Sequence, residues 1–193
     1  MSIIKTKPLP PEVEKDIKDL QRKLIKRLKG YYFSAEIAKR GVYVDPVIAL
    51  LYDWLEFKVL IEYSIEVSEQ LKGTLDYLIT TDDKKIAVIE AKKDDLEKGF
   101  SQLIPEMIAL KEDDTQEDTS DEKTRRSRDS EVSSEFATSS SARAVREIFG
   151  VVTTGSSWQF GRLNQNIIYQ DIDLYSCPGQ LQEIVTILAT FLR

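Results

Sequence analysis

The residues best placed for chemistry lie between Gly73 and Lys92, in the segment GTLDYLITTDDKKIAVIEAK. Asp76, Glu90 and Lys92 sit on two short apolar runs joined by the polar stretch Asp82-Asp83-Lys84-Lys85. Two carboxylates and a lysine at the ends of paired strands can hold a divalent cation and activate a water. That is the chemistry of a metal-dependent phosphodiesterase. Side chains alternate along a strand, so Glu90 and Lys92 project from one face. An ionised Glu90 within the apolar run IAVIEA is costly unless it is paired or bound to a cation. Asp76, among Leu75, Leu78 and Ile79, meets the same constraint. If the two strands pair, the carboxylates lie side by side and a divalent ion resolves their repulsion. Asp76, Glu90 and the backbone carbonyl of Ala91 would then hold the metal. Lys92 would orient the water or stabilise charge on the phosphorus. The alternative for the same residues is a buried Glu–Lys ion pair of structural value only.

Composition narrows this chemistry. The 193 residues contain no histidine and one cysteine, Cys177. The first absence excludes Ser-His-Asp hydrolysis, histidine zinc sites and histidine general bases; the second excludes an internal disulfide and a cysteine zinc site. Cys177 itself reads as a buried, inert thiol. Oxygen ligands alone point to Mg²⁺ or Mn²⁺. The formal net charge is −6, but the segment from Lys111 to Glu135 holds ten acidic and five basic residues. The remainder, with 23 acidic and 22 basic residues, is close to neutral, so the balance neither supports nor excludes a DNA partner. No apolar run approaches the roughly 18 residues of a membrane span, and MSIIKTKPLPPEVEK lacks an apolar leader segment. The expectation is a cytoplasmic protein with no membrane partner.

The elements that must position these residues follow from periodicity. Pro10-Pro11 opens a helix in which Val13, Ile17, Leu20, Leu24 and Leu28 recur at helical spacing, closed by Gly30. Its second half carries Arg22, Lys23, Lys26, Arg27 and Lys29, either a solvated face or a contact to a phosphate backbone. Ser34 caps a short helix through Arg40, and Asp45-Pro46 serves as N-cap and first turn of another. Phe57 to Val67 alternates without a break and reads as a strand. TLDYLIT and IAVIEA give the next two. Asp94 or Asp95 caps a helix with Leu96, Phe100, Leu103, Met107 and Leu110 on its apolar face and a kink at Pro105. Residues from about 111 to 141 are almost free of apolar side chains and read as a flexible insertion within one domain spanning 1–193. FGVVTT, SSWQFGRL and NIIYQDI give three short strands, with Trp158 and Phe160 more fitting for a core than for stacking on bases. LQEIVTILATFLR gives a closing amphipathic helix. This order suits an α/β fold, a mixed sheet flanked by helices on both faces.

The segment resembles the PD-(D/E)XK nuclease superfamily, whose motif is an aspartate at a strand start and a downstream strand ending in Glu-x-Lys. Asp76, Glu90 and Lys92 match those positions, with Leu75 in place of the motif's proline. The resemblance spans about residues 34–110 and 150–163. GVVTTGSSWQFGRL resembles the strand pair of small uncharacterised members and of the N-terminal nuclease regions of type I restriction subunits. It implies a restriction-endonuclease-like fold and Mg²⁺- or Mn²⁺-dependent cleavage of DNA, as an endo- or exonuclease. Many members add a helix glutamate, which Glu36 matches, and a helix glutamine, which Gln102 matches. Glu62, on the polar face of the first strand, rivals Glu36 as third carboxylate. Two further expectations stand beside the enzyme: a catalytically inactive nuclease-like module that binds protein or DNA, and a homodimer or partner subunit that supplies DNA binding.

Overall fold

The computed structural model describes residues 6–32, 39–69, 72–81, 86–91, 95–126 and 147–193. Helix α1 runs from Pro11 to Leu28 and buries Val13, Ile17 and Leu24. Proline at its start costs no hydrogen bond, because the first-turn amides have no intrahelical partner. A single π-helical turn, Arg40–Val44, leads into α2, Asp45–Tyr52. Strands β1 (Lys58–Glu66), β2 (Lys72–Thr80) and β3 (Ile86–Ala91) follow as an antiparallel meander. Helix α3, Leu96–Arg126, crosses over to β4, Ile148–Thr153, which lies parallel to β3. Strands β5 (Ser157–Asn164), β6 (Ile167–Gln170) and the short β7 (Tyr175–Ser176) precede the closing helix α4, Leu181–Leu192.

The strands form one sheet in the order β1-β2-β3-β4-β5-β6, with β7 paired to β5. Only the β3–β4 pair is parallel, so the sheet is mixed, and a parallel pair needs a crossover of the kind α3 supplies. Helices cover both faces. Helices α1, α2 and α4 pack with Tyr77, Ile79, Phe149, Val151, Trp158 and Phe160 in one apolar cluster. Helix α3 packs Phe100, Leu103 and Met107 with Leu75, Leu78, Ile148 and Val152 in the other. Trp158 and Phe160 are fully buried and belong to the core, as expected.

The approach of α3 depends on two glycines. Gly150 of β4 and Gly161 of β5 are directly opposite in register. A Cβ on Gly150 would lie 2.7 Å from Leu103 Cδ2 and 2.7 Å from Met107 Sδ; one on Gly161 would lie 2.5 Å from Phe100 Cζ. The paired absence of side chains makes the trough in which the α3 ridge sits.

Two local readings change and one holds. Asp45 does not cap α2: the N-cap is Val44, without a side-chain cap bond, and the Asp45 carboxylate accepts the Tyr77 hydroxyl. Asp95 does act as a cap, accepting the Lys98 amide at 2.9 Å. Helix α3 passes Pro105 and continues to Arg126, well into the stretch read as a flexible insertion. Glu, Lys, Gln and Arg are good helix formers, and extending an existing helix needs no new nucleus. The rest of that stretch, 127–141, lies outside the described residues.

The alternation of β1 also breaks. Glu62 has φ of 52°, which leaves it outside the ladder between the pairs Ile61↔Tyr77 and Tyr63↔Leu75. Side chains of β2 also change faces. Strict alternation would place Leu75, Tyr77 and Ile79 together, yet Leu75 packs with α3 while Tyr77 and Ile79 pack with α1, α2 and α4. Asp76 sits at the changeover.

Candidate functional site

The candidate carboxylates Glu62, Asp76 and Glu90 lie on the three neighbouring strands β1, β2 and β3. Glu62 and Asp76 lie between the flanking pairs Ile61↔Tyr77 and Tyr63↔Leu75, at a step where the ladder is interrupted. The β2–β3 ladder ends at Tyr77↔Ile89, and one further step along the same register would set Asp76 opposite Glu90. Glu90 in turn pairs with Val152, and Ala91 with Thr153, of β4. Facing positions of an antiparallel pair have Cβ atoms about 4.5–5.5 Å apart, close enough for their charges to act on one another. The pairing of β2 with β3 thus ends one residue short of Asp76 and Glu90. The side chain of Glu90 lies outside the described part of the structure, and so do Lys92 and Glu36. Gln102 is exposed on α3, on a helix that turns Phe100 and Leu103 toward the sheet.

What reaches Asp76 is Arg40. Its guanidinium pairs with the Asp76 carboxylate through Nη2, and Nη1 lies 3.6 Å from Oε1 of Glu62. The Arg40 and Asp76 side chains are 17% and 16% exposed, whereas Glu62 is 69% exposed. The strong contact is therefore the shielded one. The guanidinium carbon also stands 5.6 Å from the centre of the Tyr77 ring, a cation–π distance.

The π-turn explains how Arg40 is held. The Asp45 amide donates to the Arg40 carbonyl, closing the turn, and the Asp45 carboxylate accepts the Tyr77 hydroxyl. The two ends of one turn thus grip consecutive residues of β2: Arg40 takes Asp76, and Asp45 takes Tyr77. Burial, then the hydrogen bond to Asp45, raises the Tyr77 phenol above its ordinary value, so it stays protonated and donates. Single π-turns recur where a helix must aim a side chain.

The donor chemistry suits a hard divalent cation, since these positions offer carboxylate and carbonyl oxygen only. Among the described residues, which exclude the Glu90 side chain, no group of three or more acidic, histidine or cysteine side chains converges on a metal-sized point. Cys177 is buried, and burial pushes its thiol up to about 12, so it is no nucleophile at neutral pH. Asp171 is fully buried, but its carboxylate is engaged by the Tyr175 hydroxyl and the Asp173 amide, both at 3.3 Å. It anchors the β6–β7 connection.

Arg40 and Asp45 are the site residues that periodicity does not disclose. Arg40 follows Ala-Lys in a polar segment, and nothing local distinguishes it from a solvated arginine. Comparison with protein-family models, with curated proteins and with solved structures finds no match. No helix among the described residues is long and apolar enough to cross a membrane.

Proposed function

We propose that this chain is a metal-dependent phosphodiester hydrolase acting on DNA, built on a restriction-endonuclease-like variant of its mixed α/β sheet. What supports the reading is the antiparallel pairing of β2 with β3, whose register runs from Thr80↔Ile86 to Tyr77↔Ile89 and so ends next to both Asp76 and Glu90. Neighbouring carboxylates need a positive centre, and Mg²⁺ or Mn²⁺ fits their oxygen donors. Asp76, Glu90 and the Ala91 carbonyl would hold the ion, which when bound polarises a phosphate oxygen and lowers the pKa of a water. Lys92, two residues beyond Glu90 in the sequence, would orient that water. Glu62, which shares Arg40 with Asp76, is one candidate for the third carboxylate; Glu36, the other, lies outside the described residues. Incubation with Mg²⁺ or Mn²⁺ and supercoiled or linear DNA tests the reading. Cleavage is expected, lost with chelator and in Glu90→Ala; an inert wild type, or a fully active Glu90→Ala, sinks it.

One observation favours a second reading, a catalytically inactive nuclease-like module that binds DNA or protein. Arg40 already supplies Asp76 with a cation, and a domain needing no metal would be stable as it stands. Calorimetry with Mn²⁺ separates the two: binding that disappears in Asp76→Ala supports the enzyme, and absence of binding supports the module.

A further inference from the structure

We propose that Arg40 is a substrate-phosphate ligand of this site, stored on Asp76 and Glu62 and passed to a phosphodiester when a divalent cation takes Asp76. The inference rests on the hydrolase reading above and names a residue that reading does not contain.

Three observations point to it. First, Arg40 and the cation compete for one carboxylate. The Arg40–Asp76 pair is shielded on both sides, with side chains 17% and 16% exposed. A metal bound to Asp76 cancels the charge that holds the guanidinium there, and the other ion pair, to Glu62 at 3.6 Å, is solvent-exposed and weak. Second, the guanidinium is incompletely satisfied where it is. Nε of Arg40 is buried and has no hydrogen-bond partner among the described residues, and an orphaned buried donor carries a free-energy cost. A phosphate accepts two parallel N–H bonds from an arginine fork, Nε among them, so transfer to phosphate would relieve what the stored state leaves unmet. Third, the backbone of Arg40 is fixed while its side chain is long. The π-turn clamps the Arg40 carbonyl to the Asp45 amide, and Asp45 is bonded to Tyr77. Release from Asp76 therefore leaves the guanidinium within reach of Asp76 and Glu62, beside the proposed cation and its phosphate.

The test is binding of a short DNA duplex, followed by fluorescence anisotropy, in two conditions. In Ca²⁺, Arg40→Gln is expected to bind about tenfold more weakly than wild type. Arg40→Lys keeps the charge and the ion pair but lacks the fork, and should bind several-fold more weakly. Equal affinity of wild type and Arg40→Lys, or of wild type and Arg40→Gln, overturns the proposal. In chelator, Asp76→Asn frees the guanidinium and should bind DNA several-fold more tightly than wild type, the gain vanishing in Asp76→Asn/Arg40→Gln. A gain that persists undiminished in the double variant also overturns it, since it would then be a simple loss of negative charge. Mn²⁺ calorimetry separates the two possible failures. If wild type binds Mn²⁺ and the Arg40 variants bind DNA normally, only this inference falls; if wild type binds neither Mn²⁺ nor DNA, the hydrolase reading falls and takes the inference with it.

Discussion

Arg40 and Asp45 stand at the two ends of one π-helical turn, the amide of Asp45 donating to the carbonyl of Arg40, and between them they hold two successive residues of β2. The turn converts a sequence separation of five into a fork that grips Asp76 and Tyr77. Tertiary placement of the strand thus depends on an arginine whose importance no local pattern reveals.

The ion pair has a measurable share in stability. Asp76 is only 16% exposed and shares Arg40 with a second carboxylate, so removing its cation leaves a shielded charge near a like one. Arg40→Ala should lower the unfolding free energy by about 1–3 kcal/mol. Much of that loss should return in Arg40→Ala/Asp76→Ala, because the stranded charge goes too. Urea melts of the two single variants and the double give the coupling; strict additivity would mean that the pair does not act as one.

At Glu62 the usual ranking of strand residues should invert. With φ of 52° the backbone there favours glycine and penalises β-branched side chains. Its ion pair is long and exposed, and such pairs are worth about 1 kcal/mol at most. Glu62→Gly should therefore stay within about 1 kcal/mol of wild type, while Glu62→Val, the better strand former, loses about 1–2 kcal/mol. A Val variant as stable as the Gly variant would show that the break in β1 is not maintained in solution.

The trough under α3 makes a sharper demand. Gly150→Ala presses a methyl against Leu103 and Met107, both fully buried, and Gly161→Ala presses one against the rigid Phe100 ring. Each should cost about 1–3 kcal/mol, with Gly161 the more sensitive because a ring cannot bend away as a thioether can. Thermal or chemical denaturation of the two variants checks both the size and the order.

Burial raises the Cys177 thiol to about 12 and lifts the Tyr77 phenol above its usual 10.0. Both groups bind their protons more tightly folded than unfolded. Their contribution is complete below the unfolded thiol value of about 8.5 and is lost as pH rises from there toward 12. Stability should fall through that alkaline window, and Cys177→Ala should flatten its lower part. Cys177 should also resist thiol reagents at pH 8 until the protein is unfolded. Rapid labelling of the native chain would contradict its burial.

The parts legible in the sequence were those that a short window encodes. The apolar stripe of Val13, Ile17 and Leu24 and the apolar runs of β2 and β3 carry their structural meaning in neighbouring residues. So does the pairing of β2 with β3, because a hairpin register follows from two adjacent strands. What stayed hidden needs contacts from outside the window. The positive φ of Glu62 breaks a first strand whose letters alternate cleanly, and Leu75, two residues before Tyr77, packs on the α3 face instead of with it. Arg40 reaches Asp76 across 36 positions, and Asp45 looks like a helix cap while it serves Tyr77. The continuation of α3 to Arg126 was obscured for another reason: low apolar content argues against packing but not against helix.

Glu90 supplies the most decisive prediction, because the hydrolase reading and the structural alternative differ in sign there. If Glu90 stands beside Asp76 to bind a cation, its charge is a liability without one. Glu90→Gln should then raise the melting temperature of the metal-free protein by a few degrees, which corresponds to about 1 kcal/mol in a chain of this size. The same variant should abolish stabilisation by Mn²⁺. For wild type, saturation to about 100 times the dissociation constant adds about 2.7 kcal/mol to the unfolding free energy, since the ion binds only the folded chain. If Glu90 instead completes a structural pair with Lys92, Glu90→Gln leaves a lysine stranded, the metal-free melting temperature falls, and Mn²⁺ has no effect on either protein. Differential scanning calorimetry of wild type and variant, each with chelator and with Mn²⁺, gives four melting temperatures whose order distinguishes a functional carboxylate from a structural one.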